Sequence, residues 1–376
     1  MHRLRGPALL AALGEECGPP WYKGCELWVA ETMKRVVVDR FGGPEVLRVV
    51  EDDVPRPGPG EVLVRVLAAG VSFSDSLMRA GMYLGGPKPP FTPGYELVGV
   101  VEELGPGCSR LRAGDRVGAL TVWGADAERV CVPEKYAVEV HEDLDPAEVV
   151  SLVLPYMTAY QLLHRVARVK SGETVLVHGA AGRVGAAVLE LGALAALRLY
   201  GTASARDRAA VEQLGAGAID YRNEDFLARA RGLPGKGVDV VLDGLGGAMS
   251  VRSFRALRPG GRLVVFGYSS ALTQGRRSRR AWIKWNAQTA SVFLWGLLSP
   301  RRRVHGYRID KLRNRHPEWF REDFLALLEL LRRGEIHPVV SERLPLTEVR
   351  RAHELLESSA ATGKLVLVPG SAEDAR

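Results

Sequence analysis

The sequence offers little that suits metal, disulfide or membrane chemistry. Its 376 residues include four cysteines, Cys17, Cys25, Cys108 and Cys131. They are too few and too scattered for a disulfide framework, and no Cys/His cluster has the spacing of zinc ligands. A reducing, cytoplasmic setting is expected. No apolar run approaches the roughly 18 residues needed to cross a bilayer. The short apolar stretch before Leu13 ends at Glu15 and Glu16, below the length of a secretory signal core. Charge is almost balanced, 51 Lys and Arg against 44 Asp and Glu for a net +7, and no nucleic-acid-binding module is recognisable. The excess is local, at Arg276, Arg277, Arg279, Arg280, Lys284 and Arg301 to Arg303.

What is present is an ordinary globular composition, 46% hydrophobic and 25% charged, in a chain long enough for two cores. Met33 opens the first strand pattern, so residues 1–32 read as an appendage or a misplaced start. From there to about Val140, short apolar runs stand between Gly and Pro turns: Lys34 to Val38, Glu61 to Ala69, Leu97 to Leu104, Arg116 to Ala119 and Arg129 to Val132. That pattern predicts a β-rich domain of barrel type. After Pro155 apolar strands alternate with helical segments, at Thr174 to Val177, Arg198 to Thr202, Ala218 to Asp220, Asp239 to Leu242 and Arg262 to Phe266. Such alternation predicts βαβ units and a doubly wound parallel sheet, giving an α/β fold overall. A helix is expected over Phe320 to Arg333. The short strands after it return the chain to the first domain, with the nucleotide domain inserted. The expected division is 33–156 and 309–370 for the β-rich domain, 157–308 for the insert and 371–376 for a tail.

The sharpest motif is Thr174-Val-Leu-Val-His-Gly-Ala-Ala-Gly-Arg-Val-Gly185, a strand entering a glycine turn before a small-residue helix. Gly182 lets a diphosphate approach the backbone, Gly185 lets the helix pack near the strand, and the helix start offers unpaired N–H groups. Ala180 replaces the first glycine of the usual pattern. About twenty residues on, where an NAD site would place a carboxylate, stands Ser204, followed by Arg206 and Arg208. A guanidinium suits a ribose 2′-phosphate, which favours NADPH over NADH. Pairing of Asp207 with one of these arginines is the competing reading.

The chain resembles the zinc-free quinone oxidoreductases of the medium-chain dehydrogenase/reductase superfamily, from about Met33 to Pro369. The motifs that carry this are Phe41-Gly-Gly-Pro-Glu-Val-Leu47, Pro57-Gly-Pro-Gly-Glu-Val-Leu63, Ala69-Gly-Val-Ser-Phe-Ser-Asp75, Pro93-Gly-Tyr-Glu96, Leu154-Pro-Tyr-Met-Thr-Ala-Tyr160, the glycine turn, Asp243-Gly-Leu-Gly-Gly247 and Gly363-Lys-Leu-Val366. The resemblance implies a GroES-like β-rich catalytic domain with an inserted Rossmann domain, and a homodimer. It also implies that Ser204, Arg208 and Tyr221 hold the 2′-phosphate. Thr158 and the turn Gly182, Arg183, Val184 and Gly185 would meet the phosphates and nicotinamide. Phe266 and Gly267 would lie beside the nicotinamide, and Lys364 in the C-terminal cofactor segment.

Zinc-dependent relatives carry cysteine where Ser72 stands and histidine where Tyr95 stands, and a hydroxyl and a phenol are poor zinc ligands at neutral pH. No metal is therefore expected. The chemistry left is hydride delivery from NADPH to a small electron-poor acceptor, a quinone or an α,β-unsaturated carbonyl. Ser72, Tyr83 and Tyr95 are the candidates to hold the acceptor oxygen, with Tyr83 a proton donor; each tyrosine can equally be a packing residue, and the family usually has asparagine at Ser72. His178 is read as a structural hydrogen-bonder and Asp75 as the cap of a helix from Ser76 to Ala80. The basic, tryptophan-bearing stretch Leu272 to Arg315 is read as a cleft cover or ordinary packing, with membrane contact through 276–303 as the alternative. Two other readings remain, an acyl-thioester reductase of the same superfamily and a cofactor-binding peripheral membrane or adaptor protein without turnover.

Overall fold

The computed structural model describes residues 31–268, 272–273, 276–277, 279–358 and 362–370, with backbone only for 272–282. Residues 1–30 of the expected extension, the tail and the side chains of Arg276, Arg277, Arg279, Arg280 and Trp282 lie outside the described residues, while Thr32, placed in that extension, begins the first strand.

Alternating apolar residues build the first sheet. Its long strand Glu61–Val71 is buried along most of its length and pairs antiparallel with Glu96–Leu104 on one side and Arg129–Pro133 on the other. The C-terminal strand Lys364–Val368 adds antiparallel to the far end of Glu61–Val71, at Ala69, Gly70 and Val71. Residues from both ends of the chain thus complete one sheet, as the return of the chain to short strands predicts. The strand Leu47–Asp53, which closes a two-stranded ribbon with Thr32–Val38, went unread because its outer half is exposed and acidic.

The second sheet is six-stranded and parallel, in the order Gly217–Asp220, Arg198–Ala203, Thr174–His178, Val238–Asp243, Leu257–Val265, Arg303–Gly306. In chain order this is 3-2-1-4-5-6, the doubly wound arrangement whose crevice opens at the carboxyl ends of the first and fourth strands. Thr174–His178 and Val238–Asp243 are buried throughout, as strands covered on both faces must be. The sixth strand, Arg-Val-His-Gly, has no apolar pattern to announce it. A continuous helical stretch from Pro146 to Ala167 runs through the division placed at 156–157 and carries Thr158.

Ala180 fits its position because of a glycine elsewhere. It is fully buried, and a Cβ on Gly201 in the neighbouring strand would overlap its methyl group. The tight turn is carried one residue earlier by Gly179, at φ +70°. The side-chain volume missing at Gly201 is supplied by Ala180. Gly201→Ala should therefore cost roughly 1–3 kcal/mol by overpacking, and Ala180→Gly in the same molecule should recover most of it. Urea unfolding of the two single variants and the pair checks this; equal losses in Gly201→Ala and the pair would show that the two sites do not share the space.

Candidate active site

One cleft of about 910 Å³ runs between the two sheets. Lining it are Ser72, Tyr83, Tyr95, Thr158, Gly182, Arg183, Val184, Gly185, Phe266, Gly267 and Lys364, which the sequence had proposed from segments nearly 300 positions apart. Ser204, Arg208 and Tyr221 do not line it. They follow the carboxyl ends of the second and third strands, where Tyr221 N–H donates to Ala203 O at 3.2 Å, so they share the outer flank of the crevice.

The turn fits a diphosphate. Gly182 caps the helix Arg183–Leu194 with no side chain closing its first-turn N–H groups, and a Cβ there would stand 3.2 Å from Gly179 O, inside the cradle. At Gly185 a side chain would overlap the Gly179 carbonyl, so only glycine lets the helix come this close. Arg183 reaches from the turn to donate to Gly363 O at 2.8 Å. His178 sits behind, buried between Thr202 Oγ1 at 3.2 Å and Ser253 Oγ at 2.9 Å, and burial holds it below its ordinary value. Neutral and bonded at both nitrogens, it serves structure.

On the outer flank, Arg206 pairs with Asp207, whose other oxygen accepts from Ser204 Oγ at 2.6 Å. Arg208 pairs with Glu212 at 2.9 Å and reaches Glu224 at 3.6 Å. The competing reading for Arg206 thus holds in this state. Arg222, exposed beside Tyr221, was missed by the sequence argument, although it directly follows the proposed Tyr221.

At the acceptor end, the Tyr83 and Tyr95 hydroxyls lie 2.8 Å apart. Burial raises both above the ordinary phenol range, Tyr95 the further, so both stay protonated at neutral pH. The deeper Tyr95 can donate to Tyr83, leaving the Tyr83 proton for the cleft. Ser72 is corrected. Its hydroxyl donates to Asp75 Oδ2 at 2.6 Å and so has no proton for an acceptor oxygen. Asp75 is corrected with it. The helix is Phe73–Arg79, its cap is Ser72, and Asp75 is the third helical residue, accepting back from Ser72 N–H at 2.8 Å.

Tyr268, Trp285, Thr289 and Phe293 close the cleft along one side, and the helix Arg279–Leu298 carries the last three. Trp285 lies against Gly246 and Gly247, both at positive φ, and donates to Leu245 O at 3.3 Å. Part of the basic segment therefore does cover the cleft. Among the described residues no helix is long and apolar enough to cross a membrane, and no group of three or more His, Cys, Asp or Glu could hold a metal ion.

These features define a dinucleotide-crevice oxidoreductase built from a GroES-like domain and a Rossmann domain. Two family models match, the alcohol dehydrogenase GroES-like domain at residues 58–142 and the zinc-binding dehydrogenase at 214–367. The chain is 34% identical over 347 residues to the synaptic vesicle membrane protein VAT-1 homolog of Rattus norvegicus, covering 91% of this chain and 85% of that one. It is 32% identical over 342 residues to a quinone oxidoreductase of Homo sapiens, covering 89% and 98%. The crystal structure of Escherichia coli quinone oxidoreductase complexed with NADPH superposes with a TM-score of 0.76 at 30% identity over 89% of this chain and 100% of that one. The chain belongs to the medium-chain dehydrogenase/reductase superfamily, among its quinone oxidoreductase and VAT-1-like members.

Under the cleft floor, Lys364 Nζ is joined to Glu96 Oε1, both buried, while Glu96 Oε2 has no partner. Burial outweighs the lysine and raises the Glu96 carboxyl to about 7. A carboxyl raised on folding gives stability that is full below its unfolded value, near 4.5, and lost as pH climbs through about 7. The stability of wild type relative to Glu96→Gln should therefore fall by the order of 3 kcal/mol from about pH 5 to about pH 8. Denaturant unfolding across that range tests it, and a flat difference would mean that Glu96 is ionised throughout.

Proposed function

We propose that the protein is a zinc-independent, NADPH-dependent oxidoreductase that delivers hydride to a quinone or an α,β-unsaturated carbonyl. The observation that carries this is the meeting, in one apolar-walled cleft, of an uncapped glycine-turn helix start with a protonated tyrosine pair. When bound there, NADPH would supply the hydride, becoming NADP⁺, and the acceptor would take that hydride and one proton. The turn Gly182 to Gly185, Thr158, Phe266, Gly267 and Lys364 would hold the cofactor along the crevice, and Ser204, Arg208 and Tyr221 would receive its 2′-phosphate. To receive the phosphate, Arg208 would exchange its carboxylate partners Glu212 and Glu224 for phosphate oxygens, one set of charge-assisted bonds for another. Tyr83 donates to the acceptor oxygen as charge develops there, and Tyr95 fixes the Tyr83 ring. Trp285, Tyr268 and Phe293 keep water out.

Zinc independence rests on Ser72 and Tyr95, whose hydroxyls bond to Asp75 and Tyr83. In this reading residues 33–156 and 309–370 form the catalytic domain and 157–308 the cofactor domain. The protein works in the cytoplasm as a homodimer. Supporting the dimer, the strand Arg303–Gly306 ends its sheet with one side unpaired, beside the exposed Leu294, Leu297 and Leu298. The same leucines next to Arg301 and Arg303 favour membrane contact as the second reading of that surface.

Parallel titrations with NADPH and NADH, followed by nicotinamide fluorescence, should show tighter NADPH binding. Arg208→Ala should weaken NADPH roughly tenfold or more while leaving NADH nearly unchanged. Tyr83→Phe should lower kcat toward a quinone by a factor on the order of 10² with little effect on cofactor affinity. Equal affinity for the two cofactors would remove the 2′-phosphate assignment, and NADPH binding without oxidation by quinone or enone would favour the non-enzymatic reading.

A further inference from the structure

The helix Ile309–Arg315 begins three residues after the sixth strand of the parallel sheet. Its inner side is fixed: Ile309 and Arg313 are buried, and the Arg313 guanidinium bonds to Leu120 O and lies 4.0 Å over the Tyr136 ring. Its other side faces the cleft, where Arg308, Asp310, Lys311 and Arg315 all line the wall. Arg308 is forked onto Asp310 at 2.6 and 3.0 Å. Lys311 and Arg315 are four positions apart and exposed, and among the described residues no carboxylate lies within ion-pair distance of either. Two like charges on successive turns repel, by a few tenths of a kcal/mol in water, and no ion pair among the described residues offsets this one.

The cofactor does not need these cations. The strands that end at Ser204 and Tyr221 are the fourth and fifth places away from the sixth strand, roughly 19 and 24 Å across the sheet, and the glycine turn is roughly 14 Å away. The phosphates are accounted for on that flank. Lys311 and Arg315 instead continue the wall that starts at Asp310, close enough to the Tyr83 and Tyr95 hydroxyls for its charge to act on both. An acceptor whose oxygen meets Tyr83 would extend its remote end along this helix.

We propose that Lys311 and Arg315 form an anion-recognising rim, which selects hydride acceptors bearing a negative group remote from the carbon that is reduced. The inference rests on the reductase reading and deepens it. The negative group can be a sulfonate or carboxylate on a planar ring, or a phosphate on the carrier of an unsaturated thioester; the chemistry at the rim is the same.

The test compares a naphthoquinone, its sulfonated analogue and crotonyl coenzyme A, in wild type and in Lys311→Glu/Arg315→Glu. Steady-state rates are measured at low and high salt. Quenching of tryptophan fluorescence by the sulfonated quinone is measured without NADPH, and NADPH affinity is measured separately. The ratio of kcat/KM for the sulfonated over the neutral quinone should fall roughly tenfold in the variant, through KM, and high salt should shrink the wild-type ratio. Sensitivity of crotonyl coenzyme A reduction to the same change would place the anion on the carrier; no reduction of it would place the anion on the ring. An unchanged ratio overturns the proposal, as does a loss confined to NADPH affinity. If wild type reduces none of the three acceptors, the reductase reading fails, and fluorescence alone decides the rim: weaker quenching in the variant upholds it and equal quenching overturns it.

Discussion

The buried pair of Lys364 and Glu96 is the constraint on which the site's geometry depends. Lys364 begins the C-terminal strand that pairs with Ala69 to Val71, and the residue before it, Gly363, accepts the Arg183 guanidinium from the glycine turn. Two consecutive residues therefore tie the cofactor turn to the sheet that carries Ser72 and leads to Tyr95. Gly70 makes room for this, since any side chain there would overlap the lysine stem and the glutamate. Removing both charges from water is expensive, and removing one alone leaves the other buried without compensation.

That anchor sets a division of labour across the parallel sheet. Its strand order sends the ends of the second and third strands to one flank and the fifth and sixth to the other. Groups suited to phosphate gather on the first flank, and the tyrosine pair, the aromatic cover and the helix Ile309–Arg315 gather on the second. The crevice between the first and fourth strands joins them. The placing of both sets of groups thus follows from one topological fact.

Much of this was legible from periodicity. Strands covered on both faces read as apolar runs, and the glycine turn reads from close backbone approach, so the α/β architecture could be placed from the chain alone, and the turn's residues do line one cleft. The sixth strand could not, because Arg-Val-His-Gly at a sheet edge has one neighbour and little burial, and so no pattern. Without that strand, the helix after it had no position, and Lys311 and Arg315 were not singled out within the stretch Leu272 to Arg315. Glu96 and Lys364 stayed hidden as partners for a different reason: they are 268 positions apart, and charged residues announce burial only through tertiary structure. Ser72 and Asp75 were seen, but the reciprocal bonds that assign cap and partner depend on a helix start one turn earlier than the apolar pattern suggested.

The exchange of volume between Ala180 and Gly201 also bears on how this chain can change over generations. While the second strand keeps glycine, the turn can carry either alanine or glycine. Once the strand gains a methyl group, the turn must already be glycine. Substitutions at the two positions are therefore ordered, and a lineage that fills Gly201 first passes through an overpacked intermediate. The alanine in the fingerprint thus constrains which substitutions the neighbouring strand can accept, with the turn's backbone left unchanged.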